Sequence, residues 1–200
     1  MTTPQDLLIV VLDVEAGPPL APGGLSLALA GAELIDLLKA PTIRLDGDRI
    51  VPGHPGEPAD RLLTEAAASF VMDEPYELVS DWLWRRGKSL TQTYVAALEA
   101  QGTIVRERGR LFREGRRSLA NSPFRHRATT RWAHVEPVLL ALAESLGIDH
   151  DQANESTEIT DYAVQTVLAC VRTALEELEA EQQRRAIEQA AFDNLWRTLE

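Results

Sequence analysis

The 200-residue chain is 44% hydrophobic and carries a formal net charge of −11. That length and apolar content support one domain with a buried core, and the acidic balance argues against a protein that is basic all round, as many nucleic-acid binders are. Its one cysteine, Cys170 in the run VQTVLACV, can close no intramolecular disulfide and reads as a small buried hydrophobe.

The opening MTTPQD has no cationic stretch before its apolar run, so it does not read as a secretory signal. No run approaches the ~18 apolar residues of a membrane span. The expectation is a cytoplasmic protein whose only membrane contact is peripheral, at the inner face. LLIVVL (Leu7–Leu12) is buried whether it forms a helix or a strand. GPPLAPGG (Gly17–Gly24) is a breaker cluster and hence a loop. Leu25–Lys39 has helical spacing, with Leu27, Leu34 and Leu38 inward and Glu33 and Asp36 turned to solvent. Ile43–Val51 alternates around Asp46–Gly47, a hairpin signal. Asp60 can cap a helix running to about Met72. Pro75 is expected to open a helix over Tyr76–Arg86, ended by Gly87. Ser89–Gln101 follows, with Leu90, Tyr94, Val95 and Leu98 on one face and Gly102 as its stop. A second hairpin is expected to turn near Gly109. Thr129 or Thr130 starts a long helix burying Trp132, Val135, Val138, Leu139, Leu142 and Leu146. After the loop GIDHDQANES, Thr157–Leu199 forms one or two helices. The fold class is mainly α: a single helical domain over residues 1–200, with a central helix bundle and two small β-hairpins.

No catalytic or metal signature stands out. His54, His126, His134 and His150 lie in no HExxH-like or cysteine-bearing context. Asp149–His150–Asp151 reads as a solvated turn. There is no GxGxxG, no GxxxxGK[ST] and no GxSxG. The pairs Glu33/Asp36 and Glu176/Glu177 read as solvated helix faces. The chain is therefore expected not to be an enzyme and to need no cofactor.

Charge is the informative feature. Between Arg85 and Arg131 lie twelve basic residues and three acids, so that segment is +9 and the remainder −20. Its densest part, GTIVRERGRLFREGRR (Gly102–Arg117), holds six arginines. Three readings stay open on the residues alone. The arginines can pair with the chain's own acids, within one copy, across an oligomer, or with an acidic partner protein. They can dock on anionic phospholipid, where each cation near the surface contributes about 1 kcal/mol, with Leu111 and Phe112 between Arg110 and Arg113 inserting shallowly. Or Ser89–Arg117 can be half of a winged helix, although its reading helix carries no Arg or Lys.

The ordered segments LLIVVLDVEAG…LSLALAGAELIDLL, IRLDGDRIV, ADRLLTEAA, VSDWLWRR and VAALEAQGTIVRERGRLF resemble the Golgi phosphoprotein 3 family, which has many bacterial members. The resemblance covers roughly Leu7–Phe124 in register and continues loosely beyond. It implies a mostly helical, non-catalytic protein that binds phosphatidylinositol 4-phosphate at a membrane. It also implies a projecting hairpin, here 103–113, used for insertion or self-association. At the family's lipid pocket, the Trp position falls at about Ala21 and one Arg position at Ala30. The two helix-entry Arg positions fall at Lys88 and Thr91, so one basic group remains. The expected head-group contacts are Arg85, Arg86 and Lys88, then Arg108, Arg110 and Arg113, with Leu111 and Phe112 for insertion or self-association. Nucleic acid is the less favoured partner.

Overall fold

The computed structural model describes residues 2–14, 23–54, 56, 60–106, 117–150 and 158–197. The apolar run near the start forms α1 (Thr3–Asp13), preceded by Thr2, whose amide donates to Gln5 Oε1 at 3.4 Å. It lies against α2 (Gly24–Lys39), and both are buried along most of their length. A short hairpin follows, β1 (Ile43–Asp46) with β2 (Arg49–Pro52). Asp46 pairs with Arg49, which leaves Gly47 and Asp48 as a two-residue turn. Then come α3 (Arg61–Ala67), α4 (Val79–Arg86), α5 (Leu90–Ala100), β3 (Ile104–Arg106) paired with β4 (Arg117–Leu119), α6 (Pro123–Ala133), α7 (Pro137–Ser145) and α8 (Tyr162–Arg197).

The core is one apolar cluster around α1 and α2. It takes in Trp82, Tyr94, Leu98, Leu139, Leu142, Val167 and Val171, each fully buried. The first half of α8 packs on α2, and Gly31 sets how closely. A Cβ at Gly31 would stand 2.3 Å from Val171 Cγ2.

Several expected boundaries hold for the expected reasons. Asp60 accepts a hydrogen bond from the Leu62 amide at the start of α3. Gly102 takes φ 71 past the end of α5, and the amides of Gly102 and Thr103 return to the carbonyls of Glu99 and Leu98. That is the left-handed glycine cap the sequence announced.

Others differ. α3 ends at Ala67 rather than near Met72. The helix expected from Tyr76 begins at Val79, because the stretch before it is extended against the first hairpin. Ile50 N–H donates to Glu77 O, Val79 N–H donates to Asp48 O, and Arg49 bridges Leu78. The helix expected from Thr129 is two helices, α6 and α7. Val135 at φ 52 breaks it, and Pro137 opens the next. Trp132 and Val135 are consequently only partly buried. The second hairpin returns at Arg117, later than the 103–113 reading placed it. The turn expected near Gly109 lies outside the described residues.

Candidate functional site

The basic residues that follow α2 in sequence part into two groups once their partners are visible. Arg85 and Arg86 end α4. The Arg85 guanidinium forks onto Glu77 at 2.7 and 2.6 Å and donates to Ser69 O at 3.0 Å. Arg86 turns inward. It forks onto Glu33 at 2.8 and 2.9 Å, and Tyr94 O–H donates to the same carboxylate at 2.9 Å. Glu33 is fully buried. It does not face solvent as its helical position suggested. Asp36 is also engaged, accepting from the Thr3 amide and hydroxyl at 2.7 and 2.6 Å.

The Glu33–Arg86–Tyr94 cluster ties α2, α4 and α5 together. Burial pushes the Glu33 carboxyl above its ordinary value, against the pull of the Arg86 guanidinium and the Tyr94 hydroxyl. Burial and the neighbouring Glu33 push the Tyr94 hydroxyl far up. A bidentate buried pair of this kind fixes geometry more than it adds net stability. Further along the basic segment, Arg125 pairs with Asp13 at 2.6 Å, and Arg131 pairs with Asp6 and with Glu136. Much of the segment's described charge is thus held by the acids of α1, α2 and their neighbours.

Lys88 is different. It is exposed and has no ion-pair partner among the described residues. It lies on a cavity of about 480 Å³ with Gly23, Ser26, Trp84, Thr91 and Gln92 among the lining residues. Two helices begin there. Gly23, at φ 94, precedes α2, and Ser89, at φ 59, precedes α5; neither residue caps its helix with its own side chain. A helix start directs unpaired N–H groups and the positive end of the peptide dipoles outward, which suits an anion. Ser26 joins the two starts. Its hydroxyl lies 2.8 Å from that of Thr91 and accepts the Thr91 amide at 3.1 Å. Lys88 is the one charged side chain among the described lining residues, and no carboxylate is there.

The sequence-level contacts Arg85, Arg86 and Lys88 are neighbours in the chain, but the fold sends them three ways. Only Lys88 reaches this cavity. Ala30 is buried in α2. Arg108, Arg110, Leu111, Phe112, Arg113 and Ala21 lie outside the described residues. Sequence reasoning missed the convergence of the α2 and α5 starts, Ser26 as their link, and Trp84 as a wall. The GG before α2 and the GKS before α5 were the available signals. No helix among the described residues is long and apolar enough to cross a membrane, and no group of metal-ligating side chains gathers among them.

No curated protein matches the chain. The family model for Golgi phosphoprotein 3 (GPP34) matches residues 4–191, nearly the whole length. The matched span takes in α1, the α2 and α5 starts, and all but the last turns of α8, and on that match the chain belongs to the Golgi phosphoprotein 3 family.

Proposed function

We propose that the cavity at the starts of α2 and α5 binds the phosphate of an anionic phospholipid head group, making this a peripheral lipid-surface protein rather than an enzyme. One observation carries the reading. Lys88, unpaired among the described residues, stands where two helix starts meet, with no carboxylate among the described lining residues. A phosphate there would meet a cation and backbone donors together. Family membership agrees in kind, since the resemblance implies phosphatidylinositol 4-phosphate. A lone lysine supplies a point charge without the guanidinium fork, so head-group selectivity rests on Ser26, Ser89, Thr91 and Gln92 as much as on charge. Arg85 and Arg86 act in this reading as structural cations. The ribbon with Arg108, Arg110 and Arg113 is a second membrane contact read from sequence. The corresponding location is the inner face of the cell membrane.

Co-sedimentation with vesicles tests this. Phosphatidylcholine alone should not hold the protein. Vesicles with phosphatidylserine or phosphatidylinositol 4-phosphate should, and added salt should release it. Lys88→Ala should weaken binding about fivefold, the equivalent of ~1 kcal/mol for one lysine at an anionic surface. Unchanged binding by Lys88→Ala would sink the site. Salt-sensitive DNA binding without vesicle binding would give the function to nucleic acid.

A further inference from the structure

We infer that Trp84 makes this cavity a site for a phosphate carried in a bilayer rather than for one free in solution. The inference rests on the lipid reading above and adds to it the residue that senses the membrane.

Helix α4 carries two tryptophans two positions apart in VSDWLWRR, so they leave the helix on opposite sides. Trp82 goes inward. It is fully buried and stacks on Phe70 with ring centroids 5.1 Å apart. That accounts for the apolar face of α4. Trp84 is 38% exposed and stands on the wall of the Lys88 cavity. It is not part of the core cluster, and Lys88 lies four residues on, in the turn after α4.

The cavity wall is divided. Ser26, Ser89, Thr91, Gln92 and Lys88 make a polar part, and Trp84 with the half-buried Leu25 and Leu178 makes an apolar one. A soluble phosphate on the polar part would leave the apolar wall in water. A phospholipid would place its phosphate on the polar part and its glycerol and first methylenes along Trp84 and the leucines. Apolar area is then covered that a free head group leaves exposed. An indole suits this position, because its ring is apolar, its N–H is polar, and it partitions to the membrane–water boundary. Trp84 is thus a positioning residue at the bilayer surface, and Lys88 is the phosphate contact.

The test compares two ligands on the same variants: vesicles of phosphatidylcholine with phosphatidylinositol 4-phosphate, and soluble inositol 1,4-bisphosphate. Trp84→Ala should weaken vesicle binding at least about fivefold while leaving affinity for the soluble head group within about twofold. Lys88→Ala should weaken both. Vesicles with brominated acyl chains should quench the fluorescence of the wild type and not of Trp84→Phe. Vesicle binding with no measurable binding of the soluble head group also supports the inference. Equal loss on both ligands for a normally melting Trp84→Ala would overturn it, since Trp84 would then only shape the cavity. So would vesicle binding unchanged by Trp84→Ala. A wild type that binds neither ligand removes the lipid reading itself, which is a separate outcome from the loss of Trp84 alone.

Discussion

Two cavities of this fold invite comparison. The larger, about 660 Å³, is a groove between α7 and the start of α8. Pro137, Leu140, Ile159, Tyr162 and Cys170 line it, together with Glu144, Glu158 and Arg172. The smaller, about 480 Å³, lies between the starts of α2 and α5. Size favours the first as a ligand site, but electrostatics favours the second for an anion. The groove brings two carboxylates for one guanidinium. The smaller cavity brings a lysine, two helix starts and no carboxylate among its described lining residues. For an anion, backbone ends and unpaired charge count for more than volume.

The comparison can be broken most strongly through Glu33. Removing it in Glu33→Ala leaves Arg86 largely buried and unpaired and frees Tyr94 O–H. Loss of one partner of such a pair costs about 3–5 kcal/mol. Urea denaturation should show a destabilisation of that size. Vesicle binding should fall with it, because α2, α4 and α5 lose their common anchor. The groove between α7 and α8 has no part in that cluster and should keep its shape.

A smaller effect is expected at the α2–α8 crossing. Gly31→Ala puts a methyl 2.3 Å from Val171 Cγ2, and overpacking of that kind costs about 1–3 kcal/mol. Adding Val171→Ala should recover part of the loss, which a thermal melt of the double variant would show.

The mildest test sharpens the account of the buried cluster. Tyr94 is held neutral by burial and by Glu33. Its hydroxyl ionises in the unfolded chain near pH ~10 but not in the folded one. Because the folded value is raised, the stability Tyr94 contributes is full below ~10 and is lost as pH rises beyond it. Absorbance titration of Tyr94→Phe against the wild type should show that Tyr94 ionises only once the chain unfolds.

The fold was largely legible because local signals and burial agreed. The apolar run from Leu7, the Asp60 cap and the Gly102 stop all reappear as α1, the start of α3 and the end of α5. The expectations that failed depended on tertiary partners. Glu33 and Asp36 sat at polar positions of an amphipathic pattern, yet both are engaged by residues far along the chain, Arg86 and Tyr94 for one and Thr3 for the other. The helix from Tyr76 was shortened by backbone pairing with the hairpin, which periodicity cannot register. Cys170, expected in the core, is half-buried and lines the groove, because α8 presents that side away from α2. At the site, charge density drew attention to every cation in WRRGKS. Only the fold could show that two are consumed by Glu77 and Glu33 while Lys88 is left at two helix starts.

The central claim is that a phosphate belongs at Lys88 and not at the groove. Charge reversal at each place, measured on the same phosphatidylinositol 4-phosphate vesicles, tests it directly. Lys88→Glu should weaken binding by about thirtyfold, the equivalent of ~2 kcal/mol for replacing a cation with an anion at the surface. Arg172→Glu, on the larger cavity, should change it by less than about threefold. A greater loss from Arg172→Glu than from Lys88→Glu would contradict the account.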